Sequence, residues 1–325
     1  MSRAFSDVAE ARLPYFFRTA GSHRLVQFVD PARIDWRPGF FQLGLPNDAP
    51  VAAIESLDAW CDRTPLPAQF SSTNGIFHVS RCGSTLLTQN LKATGEVVVL
   101  SEPPFMRVMR TLLNDTVDED AAIGIVARTI GAWQEWARTR NRKLVIKFNS
   151  QAHSYSEKLM QALPGARFVF LHREPAAVLE SIERHPPSYL RRGYDEDRYA
   201  PEPEPEGTTA PSLMHAAVSR YCSAVQAFAD MTDADLLKVA YPDLAKRWPE
   251  ILRHCGITVG EQPWDGSISA KAKNPETAAP YEPVEAEKVS SFAARQRELL
   301  EVARMTYTKF LVSGEGSDRQ GTGNA

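Results

Sequence analysis

The sequence predicts an α/β protein in three layers, a central and mainly parallel sheet flanked by helices. Two observations lead there. Short apolar runs alternate with longer stretches whose apolar residues recur at helical spacing. Two of the runs pass through a turn of small or basic residues directly into such a helical stretch. Ile76–Val79 reads as a strand, Ser80–Ser84 as a small-residue turn and Thr85–Ala93 as a helix. Glu96–Leu100, Leu144–Phe148, Ala166–Leu171 and Leu236–Ala240 read as further short buried strands. Helices are expected over Pro104–Asn114, Ala121–Thr139, Pro175–Arg184, Pro211–Met231 and roughly Pro283–Phe310, with Pro175 at a first turn where its missing N–H costs little.

Residues 1–72 carry aromatic clusters (Tyr15, Phe16, Phe17; Phe40, Phe41), two short strands and a helix near Ile54–Trp60, but no chemical motif. They form an N-terminal extension to a domain spanning 73–312. Tyr194–Thr209, with its PEPEPEG run, reads as an exposed loop, and 313–325 as a disordered tail.

Of 325 residues, 43% are apolar and 24% charged, enough for a core without disulfide or metal support. The formal net charge of -3 gives no basic field, so nucleic acid is not an expected partner. Four widely spaced cysteines without a CxxC pair suit a reducing compartment. With no apolar run long enough to span a bilayer and no apolar N-terminal core, a cytoplasmic protein is expected.

The most informative segment is Phe77–Leu87. A strand enters a tight loop and a helix leaves it. The free N–H groups and dipole at that helix start favour an oxyanion. Gly83 lets the backbone approach closely, Ser84 and Thr85 add hydroxyls, and Arg81 supplies a planar cation. The nucleotide triphosphatase loop, GxxxxGK[ST], requires a Lys after its last Gly. Here Ser84 stands there, and no strand ends in a magnesium-holding Asp. A second strand–turn–helix, Phe168–Ser181, places Arg173 at a strand's carboxyl end with Ser181 eight residues on, a pair able to grip one phosphate. An ordinary turn, and an Arg173 paired with a nearby carboxylate, are the plain alternatives.

Arg81–Leu87 resembles the 5′-phosphosulfate loop of the sulfotransferases that use 3′-phosphoadenosine 5′-phosphosulfate (PAPS). Arg173, Pro175 and Ser181 resemble that family's 3′-phosphate motif. The resemblance runs from about Ile76 to Lys273, with motifs closest to the tyrosylprotein and glycan branch, and implies a P-loop-type fold. It implies PAPS as cosubstrate, no metal, and Arg81, Cys82, Gly83, Ser84, Thr85, Leu86, Arg173 and Ser181 as cofactor-binding residues. Tyr241-Pro242-Asp243-Leu244 is similar to the family's Tyr-Glu-Asp-Leu segment, with Pro242 in place of Glu. Ser267–Lys273 is similar to a Ser-x-Ser-Lys loop that closes on the phosphosulfate, with Ala270 as an extra residue, which adds Tyr241, Lys271 and Lys273. A strand-end turn and a solvated Lys pair are the competing accounts.

Sulfuryl transfer needs a base and one or two cations beside the loop. Glu102, after the second of these strands, is the candidate base, and the resemblance places a catalytic Glu at about this distance from the loop. Its competing role is a helix N-terminal acid. Lys147, near the end of Leu144–Phe148, is the candidate cation with Arg81, since a Lys on a buried strand needs an anionic partner. That partner could be merely structural. His78 reads as a core histidine, whereas His172 could line the cofactor site and His153 could compete as base.

The expected function is transfer of a sulfuryl group to an acceptor hydroxyl, with acceptor choice set by the 184–209 stretch and the N-terminus. A non-catalytic PAPS or adenosine 3′,5′-bisphosphate binder would keep the phosphate motifs without Glu102 and Lys147. A P-loop kinase would need the missing Lys and Asp.

Overall fold

The computed structural model describes residues 12–20, 23–45, 52–107, 118–187, 190, 213–258, 263–266, 268 and 286–318. Two sheets occur there. The first is antiparallel, in the order β1 (Leu13–Ala20), β2 (His23–Val29), β3 (Ala53–Ser56), and is followed by α1 (Leu57–Arg63). The second has five strands: β4 (Thr73–His78), β5 (Val97–Ser101), β6 (Lys143–Lys147), β7 (Arg167–His172) and β8 (Leu236–Ala240). Its order is β5-β6-β4-β7-β8 and every pairing is parallel. The predicted α/β class is therefore present.

Helices cover both faces, which is why the strands read as near-continuous apolar runs rather than alternating ones. They are α2 (Ser84–Ala93), α3 (Glu119–Arg138), α4 (Ser156–Gln161), α5 (Pro175–Arg184), α6 (Leu213–Ala229), α7 (Trp248–His254), α8 (Ala286–Arg295) and α9 (Arg297–Asp318). The order places the first strand, β4, in the middle, with later strands added on both sides. Such a switch in direction opens a crevice at the carboxyl ends of the strands, and β4 leads into that crevice through the loop before α2.

The described residues before β4 share the main core. Trp133 of α3 donates its indole N–H to Pro14 O at 2.8 Å, where the β1–β2 register slips between Pro14 and Phe16. Trp36 stacks on Trp136 (5.6 Å between rings), and Phe41 meets Trp133 edge-on at 5.7 Å.

Three elements differ from expectation. Only a short 3-10 turn, Pro104–Arg107, occupies the described start of the helix predicted over Pro104–Asn114. The single helix predicted over Pro283–Phe310 is two, divided at Gln296. The second runs on to Asp318, into the stretch read as a tail. The 194–209 loop lies outside the described residues.

Candidate active site

The loop between β4 and α2 is held in an unusual backbone shape. Ser80, Arg81 and Gly83 all have positive φ, at 61°, 48° and 83°. For Ser and Arg this left-handed conformation costs roughly 1–2 kcal/mol per residue. Left-handed residues ahead of a helix start are a backbone form that can present N–H groups to an anion, although the Ser80 N–H is already given to His78 Nδ1. Gly83 caps α2 with no side-chain hydrogen bond, leaving the helix start without a competing carboxylate. Cys82 turns its thiol into the core, where burial raises its pKa to about 12. What it can offer an anion is main chain.

Gly83 is required on a second count. A Cβ there would lie 2.4 Å from the ring of Tyr241, in the turn after β8. Gly83→Ala should therefore lower the melting temperature, because a left-handed alanine and a displaced Tyr241 are imposed at once. A variant with wild-type melting would contradict this packing.

The Arg173 guanidinium lies over the other side of this arrangement, 4.4 Å from the Tyr241 ring centroid, and its Nη1 donates to Arg81 O at 3.3 Å. Tyr221 OH donates to Arg173 O at 2.8 Å and steadies the strand end. Arg81 in turn donates through Nη2 to His185 O, and His185 N donates to Ser181 O at 3.2 Å. The two predicted anion cradles thus share a wall: Gly83, Tyr241 and Arg173 stack in sequence, and Arg81 ties the loop to the end of α5.

A compact polar cluster stands beside the loop. Lys147, 1% exposed at the end of β6, donates to Glu102 Oε1 at 2.8 Å and to Thr85 Oγ1 at 3.3 Å. The Phe40 ring covers it at 4.5 Å. Glu102 follows β5 with a positive φ of 52°, and its backbone N–H donates to Lys147 O at 2.7 Å. Burial pushes the Glu102 pKa up, but the Lys147 and His78 neighbours, the hydrogen bond from Lys147 and the Arg81 charge outweigh it. The net shift is below the ordinary carboxylate value.

His78 is a structural strut. Its Nδ1 accepts from Ser80 N–H at 3.1 Å, so Nε2 carries the proton and donates to Phe148 O at 3.0 Å. Burial and the Lys147 charge bring its pKa to about 4. The imidazole is neutral and fully used, as a core histidine should be.

Arg81, Gly83, Thr85, Glu102, Lys147, Arg173 and Tyr241 are brought together, with Ser84 in the first turn of α2. Leu86 lies on α2 without a described contact to the loop's concavity. Ser181 is linked only through its main-chain carbonyl, which accepts the helix-capping bond from His185 N, and its hydroxyl has no described contact with Arg173. Lys271 and Lys273 lie outside the described residues, although Asp265 just before them is pinned to Asn90 of α2 by reciprocal bonds of 2.9 and 3.3 Å. His172 does not line this site: it is 5% exposed, bonds Tyr307 OH at 3.0 Å and packs edge-on to Phe310. Burial, with Arg247 and Lys238, lowers its pKa to about 4. His153 bonds Ser150 O through Nδ1 at 2.8 Å, and burial lowers its pKa. Phe40 was a bare aromatic in the sequence; nothing there signalled its place over Lys147.

Among the described residues no group of three His, Cys, Asp or Glu side chains could hold a metal, and no helix is long and apolar enough to cross a membrane. No family model matches the chain, and no curated protein matches it. Solved structures of similar fold include a sulfotransferase domain from the Synechococcus PCC 7002 olefin synthase, at 16% identity over 75% of this chain and 98% of that one, TM-score 0.43. Sulfotransferase STF9 from Mycobacterium avium matches at 12% identity over 74% and 80% of the two chains, TM-score 0.42. A retinol dehydratase in complex with androsterone and the inactive cofactor PAP matches at 13% identity over 93% and 92%, TM-score 0.38. This chain is similar to each in fold only; the chemistry rests on its own residues.

Proposed function

We propose that this protein transfers the sulfuryl group of PAPS to an acceptor hydroxyl. The observation that carries the reading is the shared wall of the two cradles, Arg173 Nη1 at 3.3 Å from Arg81 O with Tyr241 wedged against Gly83. One doubly anionic nucleotide can then reach both. The loop N–H groups, Ser84 and Thr85 hold the 5′-phosphosulfate, and Arg173 with Ser181 holds the 3′-phosphate. Lys147 and Arg81 neutralise the charge that develops at the leaving oxygen. An acceptor oxygen bonds to sulfur and gives its proton to Glu102, as in the tyrosylprotein and glycan branch. The sulfur–oxygen bond to the phosphate breaks, and its electron pair leaves with adenosine 3′,5′-bisphosphate.

The Lys147–Glu102 pair gives this chemistry an order. While Lys147 holds Glu102, the carboxylate is a weak base. An anion beside Thr85 competes for the same ammonium, and drawing it away makes Glu102 more basic when the sulfuryl donor is in place.

The test is transfer of radiolabelled sulfate from PAPS to a pool of cell metabolites. Labelled product is expected. Stabilisation by adenosine 3′,5′-bisphosphate with no transfer to any acceptor would indicate a non-catalytic binder. Arg173→Ala should weaken the bisphosphate by about 1.5–3 kcal/mol, roughly 10–150-fold, and adenosine 5′-monophosphate far less. Paired titrations of the two nucleotides measure this, and equal weakening would remove Arg173 from the 3′-phosphate.

A further inference from the structure

A second cavity, of about 730 Å³, lies outside the cradles and the Lys147 cluster. Its walls are parts of the Pro31–Arg37 segment, Gln89, Lys92 and Ala93 of α2, Val97–Val99 of the edge strand β5, Trp136 of α3, the turn carrying Arg140 and Arg142, and Ile268 of the segment likened to the loop that closes on the phosphosulfate. Its size is that of a pocket for a small organic ligand.

The lining has two characters. Ile34, Trp36, Val97–Val99 and Trp136 make an apolar interior, with Trp36 and Trp136 stacked at 5.6 Å. The charged lining is entirely basic among the described residues: Arg37, Lys92, Arg140 and Arg142. Asp35 neutralises Arg37 through contacts of 2.8–3.2 Å. Lys92 donates only to uncharged acceptors in the hydrogen bonds seen, Trp36 O at 3.0 Å and Pro38 O at 2.7 Å. Arg140 lies over the Trp136 ring at 4.1 Å and bonds Trp136 O and the Thr139 hydroxyl, so no carboxylate partners it in those contacts. The Trp136 indole N–H is buried and has no acceptor among the described residues.

The Arg140–Arg142 end of this cavity lies away from Glu102, whereas Lys92 on another wall is near enough to Lys147 to feel its charge. Arg140 and Arg142 lead into β6, whose Lys143 pairs with Val97 at the start of β5. Glu102 follows the opposite end of that strand, directly after Ser101, which is four rises of about 3.3 Å from Val97.

We propose that this cavity binds a free single-chain amphiphile, an alkyl chain in the apolar interior with an anionic head at Arg140 and Arg142. The proposal is independent of the sulfuryl-transfer reading. Asp35 is engaged by Arg37, and Arg140 and Arg142 stand among the lining residues without an acid beside them there, which favours the anionic head; each buried methylene adds about 0.8 kcal/mol.

Calorimetric titration with laurate below its micelle concentration tests it. One laurate should bind per chain, and dodecyl maltoside, with the same chain and a neutral head, about tenfold more weakly or worse. Arg140→Ala with Arg142→Ala should reduce laurate affinity by about tenfold. Ala93→Trp should abolish binding by filling the cavity. All three positions are solvent-exposed, and unchanged melting curves would show that the variants fold. No saturable binding, equal affinity for the two amphiphiles, or binding that survives Ala93→Trp would overturn the proposal. So would cosedimentation with phosphatidylglycerol vesicles in place of laurate binding, which would assign the basic rim to a membrane.

Discussion

Glu102→Gln should lower sulfuryl transfer by roughly 10²–10⁴-fold, the contribution of a positioned general base. It should not weaken adenosine 3′,5′-bisphosphate, because the neutral amide no longer competes for Lys147. The same substitution should cost stability. Lys147 is 1% exposed, and Glu102 is the carboxylate 2.8 Å from its ammonium. Removing one partner of a fully buried ion pair costs about 3–5 kcal/mol. The cost here should be smaller, since Glu102 is 31% exposed and glutamine still offers an oxygen. Urea unfolding beside the transfer assay separates the two effects. Full activity would take Glu102 out of the base role.

Lys147→Met should reduce transfer by about 10²–10³-fold or more, because it removes the cation nearest Thr85. It should also move the acid limb of the activity profile. Glu102 acts deprotonated, and its pKa is held below the ordinary value chiefly by Lys147 against the raising effect of burial. Without Lys147 that pKa rises, so activity should fail at a higher pH as solutions are acidified. An unmoved acid limb would mean that the pair does not set the base.

The folded protein should also weaken toward acid through these groups. Glu102 is more acidic folded than unfolded, so its stabilising contribution is complete above the unfolded value and is lost as pH falls through the folded one. His78 and His172 are held neutral, with pKa values lowered to about 4 from 6.5. The unfolded chain takes up their protons first, and stability should fall from pH 6.5 toward 4, by roughly 3 kcal/mol for each histidine. Equilibrium unfolding across that range checks it; a flat profile would contradict buried neutral imidazoles.

The sheet was legible because its strands are buried on both faces and read as apolar runs. The start of β4 was not: Thr73 and Asn74 are polar yet 2% exposed, and Thr73 is satisfied by Gln134 at 2.7 Å across the fold. The turns after β4 and β7 were legible because each is local, a strand end followed by a helix start. For His172 the sequence left a place at the cofactor site open, on adjacency to Arg173 alone. Successive strand residues face opposite sides of the sheet, so the neighbour of Arg173 points into the aromatic cluster of Phe170, Tyr307 and Phe310. Phe40 and Lys147 are far apart in the chain, and they are joined by packing of the N-terminal segment on Trp133 and Trp136 together with the bonds from Lys92 to Trp36 O and Pro38 O.

The most direct measurement is a calorimetric titration of the unmodified protein with adenosine 3′,5′-bisphosphate and with adenosine 5′-monophosphate. If Arg173 and the Gly83 loop grip two phosphates of one molecule, the bisphosphate should bind at least about tenfold more tightly, one charge-assisted contact apart. Equal affinities would mean that the adjoining cradles do not act on one nucleotide.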